Sequence, residues 1–171
     1  MSKEINTRVL AEVAVSVALA YVLNLIIVYQ LPQGGSITLG SMVPILILSL
    51  RRGPRTGVFA GAVFGLVQLF LGGYWFTLVQ VLLDYPVAFA CLGLAGFFKD
   101  NPHVGVAVAV LSRFLCHFVS GVVFFGEYAP PELGPVVYSI VYNGSYMLPE
   151  LVISVAVIYL LIKRGVLEYS I

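Results

Sequence analysis

Charge is what this chain has least of. Only 10% of its 171 residues are Asp, Glu, Lys or Arg, and 60% are hydrophobic, whereas a soluble domain carries about 25% charged and about 45–50% apolar residues. A water-soluble globular fold is therefore excluded, and the chain reads as an integral membrane protein. A net charge of +1 with no basic tail or patch leaves nothing for nucleic acid to bind. The three lysines, Lys3, Lys99 and Lys163, are none of them preceded by glycine, so there is no G-x-x-x-x-G-K-[ST] loop for ATP phosphates. H-E-x-x-H and G-x-S-x-G are missing as well, which removes the commonest zinc and serine hydrolases. The two cysteines, Cys91 and Cys116, both lie inside apolar runs and read as small buried hydrophobes, neither a disulfide nor a metal pair.

What is present is a succession of apolar runs. Lys3 and Arg8 followed by Ala18-Leu19-Ala20 mimic a secretory signal. The apolar run continues to Tyr29, however, so a retained first helix is expected. Segmentation predicts six helices near 9–29, 37–50, 56–72, 75–98, 103–125 and 137–162, in one all-α transmembrane domain covering 1–171. Turn-forming clusters separate them, among them Leu31-Pro32-Gln33-Gly34-Gly35 and Arg51-Arg52-Gly53-Pro54-Arg55.

Eight of the nine basic residues fall at the N-terminus, in the 2–3 and 4–5 loops, or at the C-terminus. The positive-inside rule makes that side cytoplasmic, with both termini in. The second span, Ile37 to Leu50, covers only about 21 Å of helix against a hydrocarbon core of about 30 Å. Since the charges require a full crossing, the preceding loop is expected to dip into the membrane, where irregular backbone survives only if protein buries it or it lines a cavity. Gly57, Gly61 and Gly65 recur every fourth residue and predict a face for close helix packing within the chain. Ala14 and Ala18 form a similar small-residue face on the first helix.

Four ionisable residues stand deep in the spans: Asp84, Arg113, His117 and Glu150. Such residues in a membrane normally face a cavity, a partner or a ligand. Glu12, one turn past Arg8, belongs to the boundary. Arg113, His117, Gly121 and Phe125 follow at i, i+4 intervals and share one face. Asn143 and Glu150 share a face of the last helix, with Tyr138 about one turn outward of Asn143, and Tyr74 and Trp75 mark the outer mouth of the fourth. With two carboxylates against one guanidinium, the interior holds an excess negative charge. Aromatic faces plus a carboxylate make a cage for a flat organic cation. Arg113 has two possible carboxylate partners, Asp84 and Glu150. If it pairs with Asp84, that pair serves helix association alone.

The string Gly35-Ser36-Ile37-Thr38-Leu39-Gly40-Ser41-Met42-Val43-Pro44-Ile45, the Asp84-Tyr85 pair and Arg113-Phe114-x-x-His117-x-x-Ser120-Gly121 resemble the thiamine-specific substrate-binding (S) component of energy-coupling factor (ECF) transporters. The resemblance covers nearly the whole chain. It implies a multi-pass plasma-membrane protein, not an enzyme and needing no cofactor or metal, that binds thiamine or a close analogue from outside. It implies ligand contacts at Asp84, Tyr85, His117, Gly121, Phe125, Tyr138, Asn143 and Tyr74, with Asp84 facing the cationic thiazolium. It also implies docking, through Ala14 and Ala18, on a transmembrane coupling protein that works with two ATP-binding-cassette ATPases. The chain departs from the family pattern in carrying Asp84 where Glu is common, and in having no tryptophan in its first loop. The competing readings are an S component for a thiamine precursor and a stand-alone proton-coupled carrier of a small organic cation, in which Asp84, His117 and Glu150 relay protons. An intramembrane enzyme acting on a lipid lacks an evident nucleophile.

Overall fold

A computed structural model describes residues 6–165; Lys3, one of the basic residues assigned to the cytoplasmic side, lies outside them. Six helices run α1 Thr7–Asn24, α2 Val43–Arg52, α3 Pro54–Phe70, α4 Leu78–Phe97, α5 Pro102–Phe124 and α6 Gly134–Lys163. An antiparallel hairpin, β1 Ile27–Gln30 with β2 Ser36–Thr38, joins α1 to α2. By length and composition, α1, α4, α5 and α6 suit a membrane crossing, and α3 is a shorter apolar helix.

The ends of these helices follow from local chemistry. Asn6 caps α1, its side-chain oxygen accepting from the Arg8 and Val9 N–H groups at 3.2 and 3.4 Å. Between α2 and α3 the chain reverses on one residue. Gly53 adopts φ +91° there, a conformation natural to glycine, and Pro54 opens α3 where its missing N–H costs nothing. Arg51 and Arg52 occupy the last turn of α2, favourably placed on the helix dipole.

The first two boundaries differ from expectation. The first helix stops at Asn24 and not near 29, and the second begins at Val43 and not at 37. Hydropathy measures burial, and it cannot separate a helix from a strand in a short apolar run. Here β-branched Ile27 and Val28, the turn residues Pro32 to Gly35, and β-branched Ile37 and Thr38 favour a hairpin. Leu31 N–H donates to the Gly35 carbonyl at 2.7 Å, and Gly34 takes φ +89°. The second strand runs inward along α6, and the Thr38 N–H donates to the carboxylate of Glu150 near the middle of that helix. The loop thus descends into protein, and α2 follows it with Ile45, Leu46 and Leu50 fully buried.

The glycine stripe packs inside the chain, as expected. A Cβ on Gly57 would meet Ser49 and Gly93, one on Gly61 the Phe89 carbonyl, and one on Gly65 the Tyr85 carbonyl. Only hydrogen at these positions lets α3 approach the α4 backbone so closely. The fourth helix is not uniform. It begins α-helical from the Thr77 cap, widens into a π turn over Leu83–Val87 around Pro86, and tightens to a 3-10 helix over Cys91–Phe97. Proline lacks the N–H that a regular turn needs and crowds the carbonyl one turn back, so the turn opens. Ser49 answers backbone groups of the tight segment: its hydroxyl donates to the Gly93 carbonyl at 2.7 Å and accepts from the Gly96 N–H at 2.9 Å.

Candidate functional site

A cavity of about 390 Å³ opens between the hairpin, the α3–α4 loop and helices α4, α5 and α6. All eight residues proposed for ligand contact line it: Tyr74, Asp84, Tyr85, His117, Gly121, Phe125, Tyr138 and Asn143. Ala14 and Ala18 lie elsewhere, exposed on α1 in a shallow apolar groove shared with Val63 and Val67 of α3.

Asp84 sits in the π turn, and its carboxylate accepts three hydrogen bonds. Gln80 Nε2 and Ser120 Oγ donate to Oδ2 at 2.7 and 2.8 Å, while His117 Nδ1 lies 3.1 Å from Oδ1. The imidazole tautomer follows from its other nitrogen. Arg113 Nε–H approaches His117 Nε2 at 3.3 Å, and because a guanidinium can only donate, Nε2 is the acceptor and Nδ1 carries the proton toward Asp84. The histidine is then neutral. Asp84 is left solvated by neutral donors, 14% exposed toward the cavity, without a cation on it.

Arg113 pairs with neither carboxylate. Among the described residues no ion pair joins it to Asp84 or Glu150; its guanidinium carbon instead lies 4.0 Å over the centre of the Phe89 ring, a cation–π contact. Glu150, 3% exposed, holds the hairpin, its Oε1 accepting from both the N–H and the hydroxyl of Thr38. Glu12 lies at the basic end of the bundle, as expected of a boundary residue, with Arg52 Nε and a terminal nitrogen at 2.6 and 2.5 Å and Arg8 at 3.5 Å.

The remaining walls are aromatic. Tyr138, Tyr142 and Tyr146 form a ladder on α6, with ring centres 5.9 and 6.0 Å apart, and Tyr146 meets His117 edge-on at 6.3 Å. Phe125 clusters with Tyr74, Phe76 and Tyr128 at 6.0, 6.5 and 6.3 Å. The Tyr85 hydroxyl accepts from the Tyr74 N–H at 2.5 Å and ties down the α3–α4 loop. Asn143 braces the back wall, donating from Nδ2 to the Ser139 carbonyl at 2.9 Å and accepting from the Tyr146 hydroxyl at 2.9 Å. Gly121 leaves room for that brace, because a Cβ there would strike Ser139 Oγ. Trp75, 61% exposed, stands outside the cavity lining.

Sequence reasoning passed over Gln80, Tyr142 and Tyr146 and quoted Ser120 only as part of a motif. The first three carry a legible signal. Gln80 is one helical turn before Asp84 in an otherwise apolar run, and the tyrosines recur every fourth residue from Tyr138. Gln80, 1% exposed, also accepts from the Phe76 N–H at 3.0 Å, and so couples the loop to the carboxylate. Among the described residues that line the cavity there is no cysteine or lysine. An unneutralised carboxylate under aromatic walls is equipped to hold a flat cation rather than to transform it.

Residues 10–167 match the family model described as Thiamine transporter protein (Thia_YuaJ). The chain is 37% identical to the thiamine transporter ThiT of Bacillus subtilis over 89% of this chain and 88% of that protein. It is 30% identical to the ThiT of Lacticaseibacillus paracasei over 71% of this chain and 70% of that one. A solved structure of ThiT from Listeria monocytogenes superimposes with a TM-score of 0.86 at 28% identity, covering 96% of this chain and 100% of its own. The chain therefore belongs to the thiamine transporter family, whose members are multi-pass membrane proteins and not enzymes.

Proposed function

We propose that this protein is the thiamine-binding S component of an ECF-type importer, with residues 1–171 acting as one binding unit. The observation that carries the reading is Asp84, a carboxyl group held by Gln80, His117 and Ser120 at the wall of an aromatic cavity. Thiamine supplies what that arrangement lacks: a permanent cation in a flat ring, joined to a second flat ring. The thiazolium sits by Asp84 and His117, and the pyrimidine stacks among the tyrosines of α6 and the rings around Phe125. Tyr85 and Tyr74 close the side beneath the hairpin, and Gly121 and Asn143 shape the wall opposite.

The basic ends face the cytoplasm, so the cavity opens outward. With no phosphate-binding loop of its own, the chain draws its energy from two ABC ATPases reached through a coupling protein. Ala14 and Ala18, small and exposed on α1, offer that protein a surface for close helix packing.

Calorimetry with Asp84→Asn tests the carrying observation. The amide keeps the shape and removes the charge, so thiamine affinity falls by about 100-fold, the order expected for losing one partly desolvated ion contact, while the melting temperature of the ligand-free protein stays within a few degrees. Unchanged affinity would remove the cation cage.

A further inference from the structure

The two cysteines are free and stand 25 residues apart in sequence, yet the packing of α4 on α5 brings Cys91 Sγ and Cys116 Sγ to 3.8 Å. Both are half-buried. Cys91 begins the tight segment of α4, and Cys116 immediately precedes His117, which faces Asp84 across the same seam. Among the described residues no third His, Cys, Asp or Glu joins the pair to form a metal-binding group. What the seam holds is an isolated dithiol, with each sulfur in position to resolve an oxidised partner.

We propose that Cys91 and Cys116 are a redox-modification site, closed to a disulfide by a small membrane-permeant peroxide and reopened by thiols. One thiol sulfur attacks a peroxide oxygen: the O–O bond breaks, an S–O bond forms, and the first water leaves. The second sulfur then attacks the sulfenic sulfur; the S–O bond breaks, the S–S bond forms, and the second water leaves. Two thiols thereby lose two electrons and two protons to hydrogen peroxide, which becomes two waters. The sulfurs must close by about 1.7 Å from their 3.8 Å separation to reach the bonding distance of about 2.05 Å. The resulting staple joins α4 to α5 beside His117 and closes a loop that contains the whole α4–α5 connection.

The test uses the purified full-length protein in lipid nanodiscs, treated with hydrogen peroxide and analysed by intact mass after alkylation of remaining thiols. Both alkylation sites disappear together, the mass falls by two hydrogens, and dithiothreitol restores both. The oxidised protein melts at least about 3 °C above the reduced one, because the staple constrains the unfolded chain. Cys91→Ser and Cys116→Ser, each close to isosteric, abolish the paired loss and the melting shift. Oxygen addition to the wild-type thiols, chains cross-linked to one another, or two thiols still alkylatable after peroxide would each overturn the proposal. The mass readout on the wild-type protein stands even where a variant folds poorly. None of these measurements involves thiamine, so their outcome is separate from the transport reading.

Discussion

Asp84 accepts from Gln80, His117 and Ser120 and still opens on the cavity, whereas Glu150 turns one oxygen onto Thr38 and buries the other, with no hydrogen-bond partner for it among the described residues. The same functional group thus serves two tasks set by its neighbours. For Glu150 the task is to anchor the hairpin that forms one side of the cavity. Glu150→Gln keeps an acceptor for the Thr38 N–H and is expected to cost under about 1 kcal/mol. Glu150→Leu strands the buried Thr38 N–H, while the Thr38 hydroxyl keeps Ser41 as a partner, and should cost about 1–3 kcal/mol, read as a clear drop in melting temperature and a more protease-sensitive hairpin. Equal stability of the two variants would show that the anchor carries no weight. The Asp84–Arg113 pair, open at the level of residue types, does not form. Phe89 supplies an aromatic face for the guanidinium, and which ring lies under a cation depends on helix packing rather than on composition.

The decisive contact at the level of elements is α3 against α4. Glycine at 57, 61 and 65 permits backbone-to-backbone packing, and that packing sets where the π turn, and hence Asp84, stands relative to α5. Gly61→Ala places a methyl against the Phe89 carbonyl and is expected to destabilise the protein by more than about 2 kcal/mol. Gly144→Ala, in a helix with nothing within 4 Å of the added carbon, should be neutral or stabilise by up to about 1 kcal/mol. Thermal melting of the two in parallel decides the matter, and a mild Gly61→Ala would mean that α3 and α4 can separate at little cost. The glycine spacing was readable in the sequence because a four-residue repeat maps directly onto one helix face. The hairpin is invisible to hydropathy, because a run from 9 to 29 carries no information about where helical dihedrals give way to extended ones; its signal lies in the β-branched and turn residues between Ile27 and Thr38.

Viewed as a whole molecule, the cavity and the Ala14/Ala18 groove are distinct hollows that share one lining residue, Tyr21 of α1. Ala14→Trp is expected to leave thiamine affinity within about twofold while abolishing co-purification with the coupling protein and ATPases, since a bulky ring blocks close approach of two helices. Retained complex formation would move the docking surface elsewhere. By itself the sequence determined the membrane setting, the six helices, the grouping of basic residues at one end, and the Asp84, His117 and Asn143 positions, because hydropathy, charge and helical periodicity are local properties of the chain. The three-dimensional packing alone decided that Ser120 holds Asp84, that Arg113 lies on Phe89, that Glu150 anchors Thr38, and that Cys91 meets Cys116. Each of those contacts joins different elements, so it exists only once the helices have chosen their neighbours.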